Sequence, residues 1–373
     1  MIQLRPTSST PLPPRQVPLP PLRVLLIDTG REWRGEQRQV HLLAAGLRER
    51  GHEPLVVVTP RSPLHQRLRS EGIAVSAMTM ANRLDLLAVR RLRRLISTWR
   101  PAVVHAHDAR SHSLAVTALV GWRNSLPLVV TRRTPAVPRS LLRYGWRVSR
   151  FIAISGAVRD ALTAAGVPEA QVALVYPGVS LPPDAGKRAP RDWRSECGWA
   201  ADTVLAGVVG EFAMPGALPT LGAMMNSLDA DVRARLRVIV LGGRAGGRIR
   251  IGGVEAFRAG FVHDIQQAIA GLDLMLHPGS AEGLGTAVID AMSQGVPCVS
   301  FDGGSVAEII EPGHSGLLVP SGDIGAYAAA LSRVVSDSAL RSTLTKGGLR
   351  RALAFAPAHC IDGTVAVYRQ AIP

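Results

Sequence analysis

LRVLLIDTGREWRGEQRQVHLLAAGLRERGHEPLVVVT, residues 22–59, contains one full unit of the pattern that decides the fold. Residues 22–28 are a short, continuous apolar run, the mark of a strand covered on both faces in a parallel sheet. The polar stretch TGREWRGEQ reads as a loop. Across residues 37–50, Val40, Leu43, Ala44 and Leu47 fall on one stripe at helical spacing, and Gly51 offers a left-handed stop. Residues 54–59 are a second apolar run. Strand, loop, helix and strand in this compass make a βαβ unit, whose right-handed crossover opens a ligand crevice at the carboxyl ends of the strands.

The pattern repeats outward. Helices are expected at 63–71, 85–99, 111–121 and 141–148, alternating with strands at 73–78, 102–105, 127–131 and 150–154. Composition breaks after Pro177, where residues 178–201, with LPPDAGKRAP at their centre, have the Pro, Gly and charge content of a connection. A second series follows, with strands at 204–209, 236–241, 272–276 and 296–301 and helices at 218–228 and 285–294. Helices at 324–335, 339–354 and 359–370 close the chain. The expected class is therefore α/β, two Rossmann-like domains facing each other across a cleft. The first takes residues 22–177 after a Pro-rich tail at 1–21. A linker spans 178–202, and the second domain takes 203–373, its last helix expected to pack back on the first.

Composition narrows the function. The chain has 373 residues, 47% hydrophobic and 19% charged, which excludes wholesale disorder and suits two cores. No apolar run reaches the roughly 20 residues of a membrane span, and the start lacks the apolar core of a secretory signal, so a cytoplasmic protein is expected. Cys197, Cys298 and Cys360 are too widely spaced for a zinc site, and neither a metal nor a resident cofactor is expected. The charge is split. Residues 1–170 hold 26 Arg and no Lys against 10 acidic residues, a net +16, while residues 171–373 carry −1. Such a field implies an anionic partner for the first half, whether a phosphorylated saccharide, an anionic leaflet or nucleic acid. Nucleic acid is not expected, because only 4% of residues are aromatic and no recognised module occurs.

The segment richest in chemistry is HPGSAEGLGTAVIDAMSQGVPCVSFDGGSVAEIIEPGHSGLLVPSGD, residues 277–323. It reads as strand, glycine-rich loop, helix, strand and loop. Gly283 and Gly285 remove Cβ atoms where backbone would approach a ligand, and the helix starting there aims unpaired N–H groups at the same point, a seat for a diphosphate. Glu282 stands where a carboxylate could accept from sugar hydroxyls, and Asp290 where one could reach a ribose.

This segment closely resembles the donor-sugar site of family 4 glycosyltransferases of the GT-B fold. Pro278, Ser280, Glu282-Gly283, Gly285, Ala291-Met292, Gly295, Pro297, Gly303-Gly304, Glu308, Gly316 to Pro320 and Gly322-Asp323 match its pattern, with Asp290 in place of the second Glu. More loosely, residues 31–54 resemble the family's first loop and helix, Gly35-Glu36 standing where the family has two glycines. VVHAHDAR, with His105, His107 and Asp108, resembles its strand-end cleft loop. Thr131 to Thr134 occupies a loop in which relatives acting on lipopolysaccharide-type acceptors carry paired arginines, here Arg132 and Arg133. One departure stands out. Where the family usually has GRLxxxKG, this chain reads GEFAMPGA, with Glu211 and Gly216 at the positions of the Arg and Lys that neutralise the donor diphosphate.

The resemblance implies a glycosyltransferase that moves a sugar from a nucleotide-sugar, expected to be a UDP-sugar, to a saccharide or lipid-linked, lipopolysaccharide-like acceptor, with retention and without a metal. Glu282, Arg132, Arg133 and His107 are the expected catalytic residues. The donor would be held by Gly210, Glu211, Arg244 of the GGRAGGR loop, His277, Gly283, Leu284, Gly285, Thr286 and Asp290, and the acceptor by Arg34, Gly35 and Asp108. Arg244, Arg34 or the Arg132/Arg133 pair would stand in for the missing cations. Peripheral association with an anionic membrane, at the cytoplasmic face of the inner membrane, would follow from the basic first domain. The alternative is a degenerate GT-B protein that binds a nucleotide-sugar or a partner without turnover.

Overall fold

The computed structural model of the chain describes residues 20–83, 85–122, 126–136, 145–181, 189–210, 217–279 and 284–373. Seven parallel strands, β1 (Arg23–Ile27), β2 (Glu53–Val58), β3 (Ala74–Ala77), β4 (Val103–Ala106), β5 (Leu128–Arg132), β6 (Arg150–Ala153) and β7 (Val172–Leu174), form the first sheet. Their order is β3-β2-β1-β4-β5-β6-β7. The apolar runs became central strands because both of their faces are covered. In β1, Val24 and Leu26 join an apolar cluster on one face, and Leu25 and Ile27 join another on the opposite face; all four are fully buried. The covering helices are α1 (Gly35–Glu49), α2 (Pro63–Ser70), α3 (Leu86–Trp99), α4 (Ala109–Ala118) and α5 (Gly156–Ala164). Of the helix expected at 141–148, residues 141–144 lie outside the described residues, and Gly145–Arg147 is a single 3-10 turn.

The second sheet contains β8 (Val204–Val209), β9 (Leu236–Ile251), β10 (Val254–Gly260), β11 (Leu274–His277), β12 (Cys298–Asp302) and β13 (Leu317–Pro320), in the order β10-β9-β8-β11-β12-β13. Helices α6 (Ala217–Asn226), α7 (Ile265–Ala270), α8 (Thr286–Ser293), α9 (Ile324–Ser336), α10 (Ser338–Ala352) and α11 (Pro357–Ala371) follow in the second half, with two shorter helices at Trp193–Cys197 and Ala230–Arg235. In each sheet the first strand lies between two neighbours reached in opposite directions, β1 between β2 and β4 and β8 between β9 and β11, and such switch points are where α/β sheets leave a crevice.

The expected GGRAGGR loop is a strand. β9 runs ten residues beyond the expected end at Leu241 and pairs antiparallel with β10 through the turn at Gly252 and Gly253, both at positive φ. The short edge strands β7 and β13 likewise form where no strand is expected.

Helix α11 packs on the first sheet. Ile361, Val367 and Tyr368 are buried in the same cluster as Val24, Leu26 and Val40. At about 1.5–3 kcal/mol per buried large side chain, these three contribute an amount comparable with a whole domain's net stability of about 5–15 kcal/mol. Tyr368 also hydrogen-bonds through its hydroxyl to His105 Nδ1 at 2.6 Å, and Thr131 Oγ1 lies 2.7 Å from His105 Nε2. Replacing Tyr368 with Phe leaves His105 Nδ1 buried without that partner. Urea denaturation of Y368F should show a loss of about 1–3 kcal/mol.

Candidate functional site

The crevice is built at strand ends and helix starts. On the first domain, Asp28 follows β1, His107 and Asp108 follow β4, and Arg132 and Arg133 lie at the end of β5, while α1 begins at Gly35. On the second domain, Gly210 follows β8 and His277 ends β11, while α8 begins at Thr286 with Gly285 at φ +75° as its cap. The starts of α1 and α8 meet across the crevice. A Cβ placed on Gly35 would stand 3.9 Å from Thr286 Oγ1, so two positive helix ends face one small volume. Gly285 is equally constrained: its backbone is left-handed, and an added Cβ would lie 3.3 Å from Val306 Cγ2 and 3.4 Å from His277 Nε2. Leu284 beside it is buried.

Other expected residues are placed differently. Asp108 is not available to an acceptor. Its carboxylate caps α4 by accepting from the Arg110 and Ser111 amides at 2.8 Å, and takes both the amide and the hydroxyl of Thr29 at 2.8 Å, so its lone pairs are consumed in joining the β1 loop to α4. Asp290 is buried and already engaged, accepting from Arg38 Nη2 of α1 at 2.7 Å and from Gln266 Nε2 at 3.4 Å. Arg34 pairs with Glu32 at 2.7 Å on an exposed side chain. Arg132 is buried and donates to Ala136 O on its own loop. Arg133 turns toward Glu36, with Nε 3.7 Å from Oε1. Arg244 is exposed on β9, two residues past Gly242, whose backbone closes on Gly210. Glu211, Gly216, Glu282 and Gly283 lie outside the described residues.

The histidines are enclosed. His105 is bonded at both ring nitrogens, and burial drives its pKa down to about 3, so it is neutral. His107 stacks on it with ring centroids 3.9 Å apart, and burial drives its pKa well below the usual imidazole range. Among the described residues neither ring nitrogen of His107 has a hydrogen-bond partner. Both rings line a cavity of about 30 Å³ together with Gln39, Thr131, Arg133 and Cys360, room enough for a water molecule. His107 therefore lines this small cavity while almost wholly buried itself.

Asp28 and Glu36 add two carboxyls to the crevice that are not among the expected site residues. Asp28 is fully buried, and burial, with the Asp108 charge, raises its pKa to about 6 against hydrogen bonds from the Gly30 amide and the Gln37 side chain. Glu36, half-buried in the first turn of α1, is raised to about 7 mainly by burial, with Arg133 opposing. Glu36 stands at the position of the family's second glycine, and its place beside Gly35 is the signal the sequence offers. Arg38 lies three residues beyond Gly35, on the same helical face, which was the only hint that it reaches the crevice. The carboxylate of Glu308, a residue of the matching pattern, caps α5 from the other domain, accepting from the Gly156 amide at 2.8 Å and the Tyr176 hydroxyl at 2.8 Å. Among the described residues no group of three or more His, Cys, Asp or Glu side chains is placed to hold a metal ion.

Two Rossmann-like domains with ligand-facing helix starts on both sides of one crevice define a GT-B protein. The family description "Glycosyltransferase Family 4" matches residues 33–181, and "Glycosyl transferases group 1" matches residues 206–337. The first half of the chain is thus similar to family 4 glycosyltransferases and the second to group 1 glycosyl transferases, each description matching less than half of the chain. It is similar to the D-inositol 3-phosphate glycosyltransferase of Stackebrandtia nassauensis, 27% identical over 198 residues, covering 48% of this chain and 44% of that protein. A counterpart from Catenulispora acidiphila is 26% identical over 306 residues, 72% of each chain. The chain spans about half the length of the first curated relatives it matches. Among solved structures, Anabaena HepE in complex with UDP and glucose superposes with a TM-score of 0.77 at 18% identity, covering 94% of this chain and 100% of that one. The lipopolysaccharide outer core galactosyltransferase WaaB superposes at 0.71 with 15% identity, covering 93% and 99%. At these identities the likeness speaks to the fold.

The raised carboxyls make stability depend on pH. A carboxyl with a raised folded-state pKa contributes stability below its unfolded value and loses it as pH rises through the folded value, here from 4.5 to about 7 for Glu36 and from 3.8 to about 6 for Asp28. In urea denaturation at pH 5 and pH 8, E36Q should lose less stability between the two than the wild type. An equal loss in both proteins would show that Glu36 does not titrate in this window.

Proposed function

We propose that the protein is an active glycosyltransferase that moves a sugar from a nucleotide-sugar, with UDP as the first base to test, to an acceptor bearing a phosphate or other anionic group, with retention of configuration. The observation that carries this reading is the meeting of Gly35 at the start of α1 with Thr286 at the start of α8. A diphosphate seated on the α8 amides would place the sugar between the two helix ends, with Gly285 allowing close approach and Asp290 within reach of a ribose. Glu282 is proposed to hold the sugar hydroxyls. Catalysis of this kind rests on orientation and on stabilising the departing diphosphate, with Arg133 beside the acceptor entrance.

The acceptor class draws support from the basic first half and from relatives named for an inositol phosphate, while the structural neighbour WaaB is named for lipopolysaccharide. Both acceptors are anionic. The second reading, binding without turnover, is favoured by Glu211 and Gly216 standing where relatives carry cations. A thermal-shift screen of UDP, ADP and GDP separates donor binding from its absence: a ligand at 100 times its Kd should stabilise the protein by about 2.7 kcal/mol. Gly285→Ala, strained at φ +75° and crowding His277, should abolish that shift. Sugar release or transfer measured with the same ligand decides between the two readings; binding with no turnover across the acceptor panel sinks the active one.

Among the described residues no helix is long and apolar enough to cross a membrane. Helix α3 supports peripheral association, because Leu86 and Leu87, 71% and 57% exposed, stand beside the exposed Arg90, Arg91 and Arg94. Sedimentation with anionic vesicles at low salt should carry the wild type down and leave the R90E/R94E double variant in solution. Equal sedimentation of the two would remove α3 as the contact.

A further inference from the structure

A helix N-terminus offers roughly half an elementary charge, whereas a bound diphosphate brings about two or more negative charges. The α8 start therefore needs a cation, and the segment GEFAMPGA at residues 210–217, where the donor domain would supply one, contains none. The arginines of the described crevice are mostly committed elsewhere. Arg34 serves Glu32, Arg132 serves a carbonyl of its own loop, and Arg133 turns to Glu36. Arg38 alone among these reaches across to the donor domain and touches α8, on the buried Asp290.

We propose that Arg38, contributed by the acceptor domain, supplies the cation for the donor diphosphate, and that Asp290 holds it in store until donor binds. The idea rests on the donor-site reading above. Asp290 follows Thr286 by four residues, about 6 Å along the helix axis, a distance that the arginine side chain spans by changing rotamer. When a ribose diol donates to Asp290, the carboxylate exchanges a charged partner for hydroxyl donors, and the freed guanidinium needs an anion nearby. The diphosphate at the start of α8 is that anion, and the planar fork of Arg38 suits it. Nucleoside and diphosphate thereby become coupled. A nucleoside alone must displace Arg38 with nothing to receive it, whereas a nucleoside diphosphate provides both exchanges. The donor site would then be complete only when the two domains are together.

The test compares nucleoside, nucleoside diphosphate and inorganic pyrophosphate by calorimetric titration, using whichever of UDP, ADP and GDP the wild type binds. R38Q, which keeps an amide donor beside Asp290, should weaken the nucleoside diphosphate by at least about tenfold and leave the parent nucleoside unchanged or tighter. R38K, retaining charge without the fork, should fall between. D290N, which frees the guanidinium, should bind pyrophosphate more tightly than the wild type while losing nucleoside affinity. Near-UV circular dichroism of each unliganded variant checks that the packing persists. The proposal is overturned if R38Q binds the diphosphate within twofold of the wild type, if R38Q loses nucleoside and diphosphate affinity in equal proportion, or if D290N gains no pyrophosphate affinity. A wild type that binds none of the three nucleoside diphosphates instead sinks the donor-site reading, and this proposal with it.

Discussion

The chain crosses between its two domains twice, and the two crossings are bonded to each other. Outbound, it passes through Gly178 and Val179 after β7; inbound, it passes through Phe355 to Pro357 before α11. The Val179 amide donates to Phe355 O at 2.9 Å, and Gly178 lies so close to Pro357 that a Cβ there would come within 2.9 Å of its Cα. Gln39 of α1 grips Gly178 at both its amide and its carbonyl. This pinned pair fixes where the domains can pivot. The contacts between the domains beside that pin, Arg38 on Asp290 and Glu308 on the start of α5 and on the Tyr176 hydroxyl, are made of polar groups that water or substrate can replace. A bonded, closely packed pivot and exchangeable polar contacts between the domains are the arrangement a cleft needs in order to open and close about bound substrate.

The large positive charge of the first half does not fill the crevice. Asp28, Glu36 and Asp108 stand there beside Arg132 and Arg133, and burial of the carboxyls is what raises two of them toward neutral pH. Much of the arginine excess lies on outward surfaces, such as the exposed face of α3. The field of the domain and the chemistry of its site are therefore separate matters. The first concerns what the protein approaches, and the second what it holds.

Most of the fold was legible because the central strands are apolar on both faces and their helices carry single stripes, so local pattern and tertiary role agree. The β9–β10 hairpin was not, since glycines and arginines dominate its exposed half. Its signal was present in the alternation of Arg248, Ile249, Arg250 and Ile251 followed by Gly252-Gly253, a pattern of alternating residues leading into a glycine turn. Within the site, Gly285 and Thr286 were legible as a helix start after a strand. The capping role of Asp108 is not legible, because sequence cannot say which hydrogen-bond partners a carboxylate has already taken. The contact between Arg38 and Asp290, 252 residues apart, leaves no local trace at all.

Helix α11 gives the order of synthesis a structural meaning. The face of the first sheet that includes Val24 and Leu26 shares its apolar cluster with Ile361, Val367 and Tyr368, which are translated after the whole second domain. While the ribosome is still producing residues 203–356, the first domain has its strands but not its full cover, and that apolar patch stays open to chaperones or to neighbouring chains. The halves are thus unequal as folding units. The donor half can close its core from contiguous sequence, whereas the acceptor half reaches its final form only once residues 357–371 return to it.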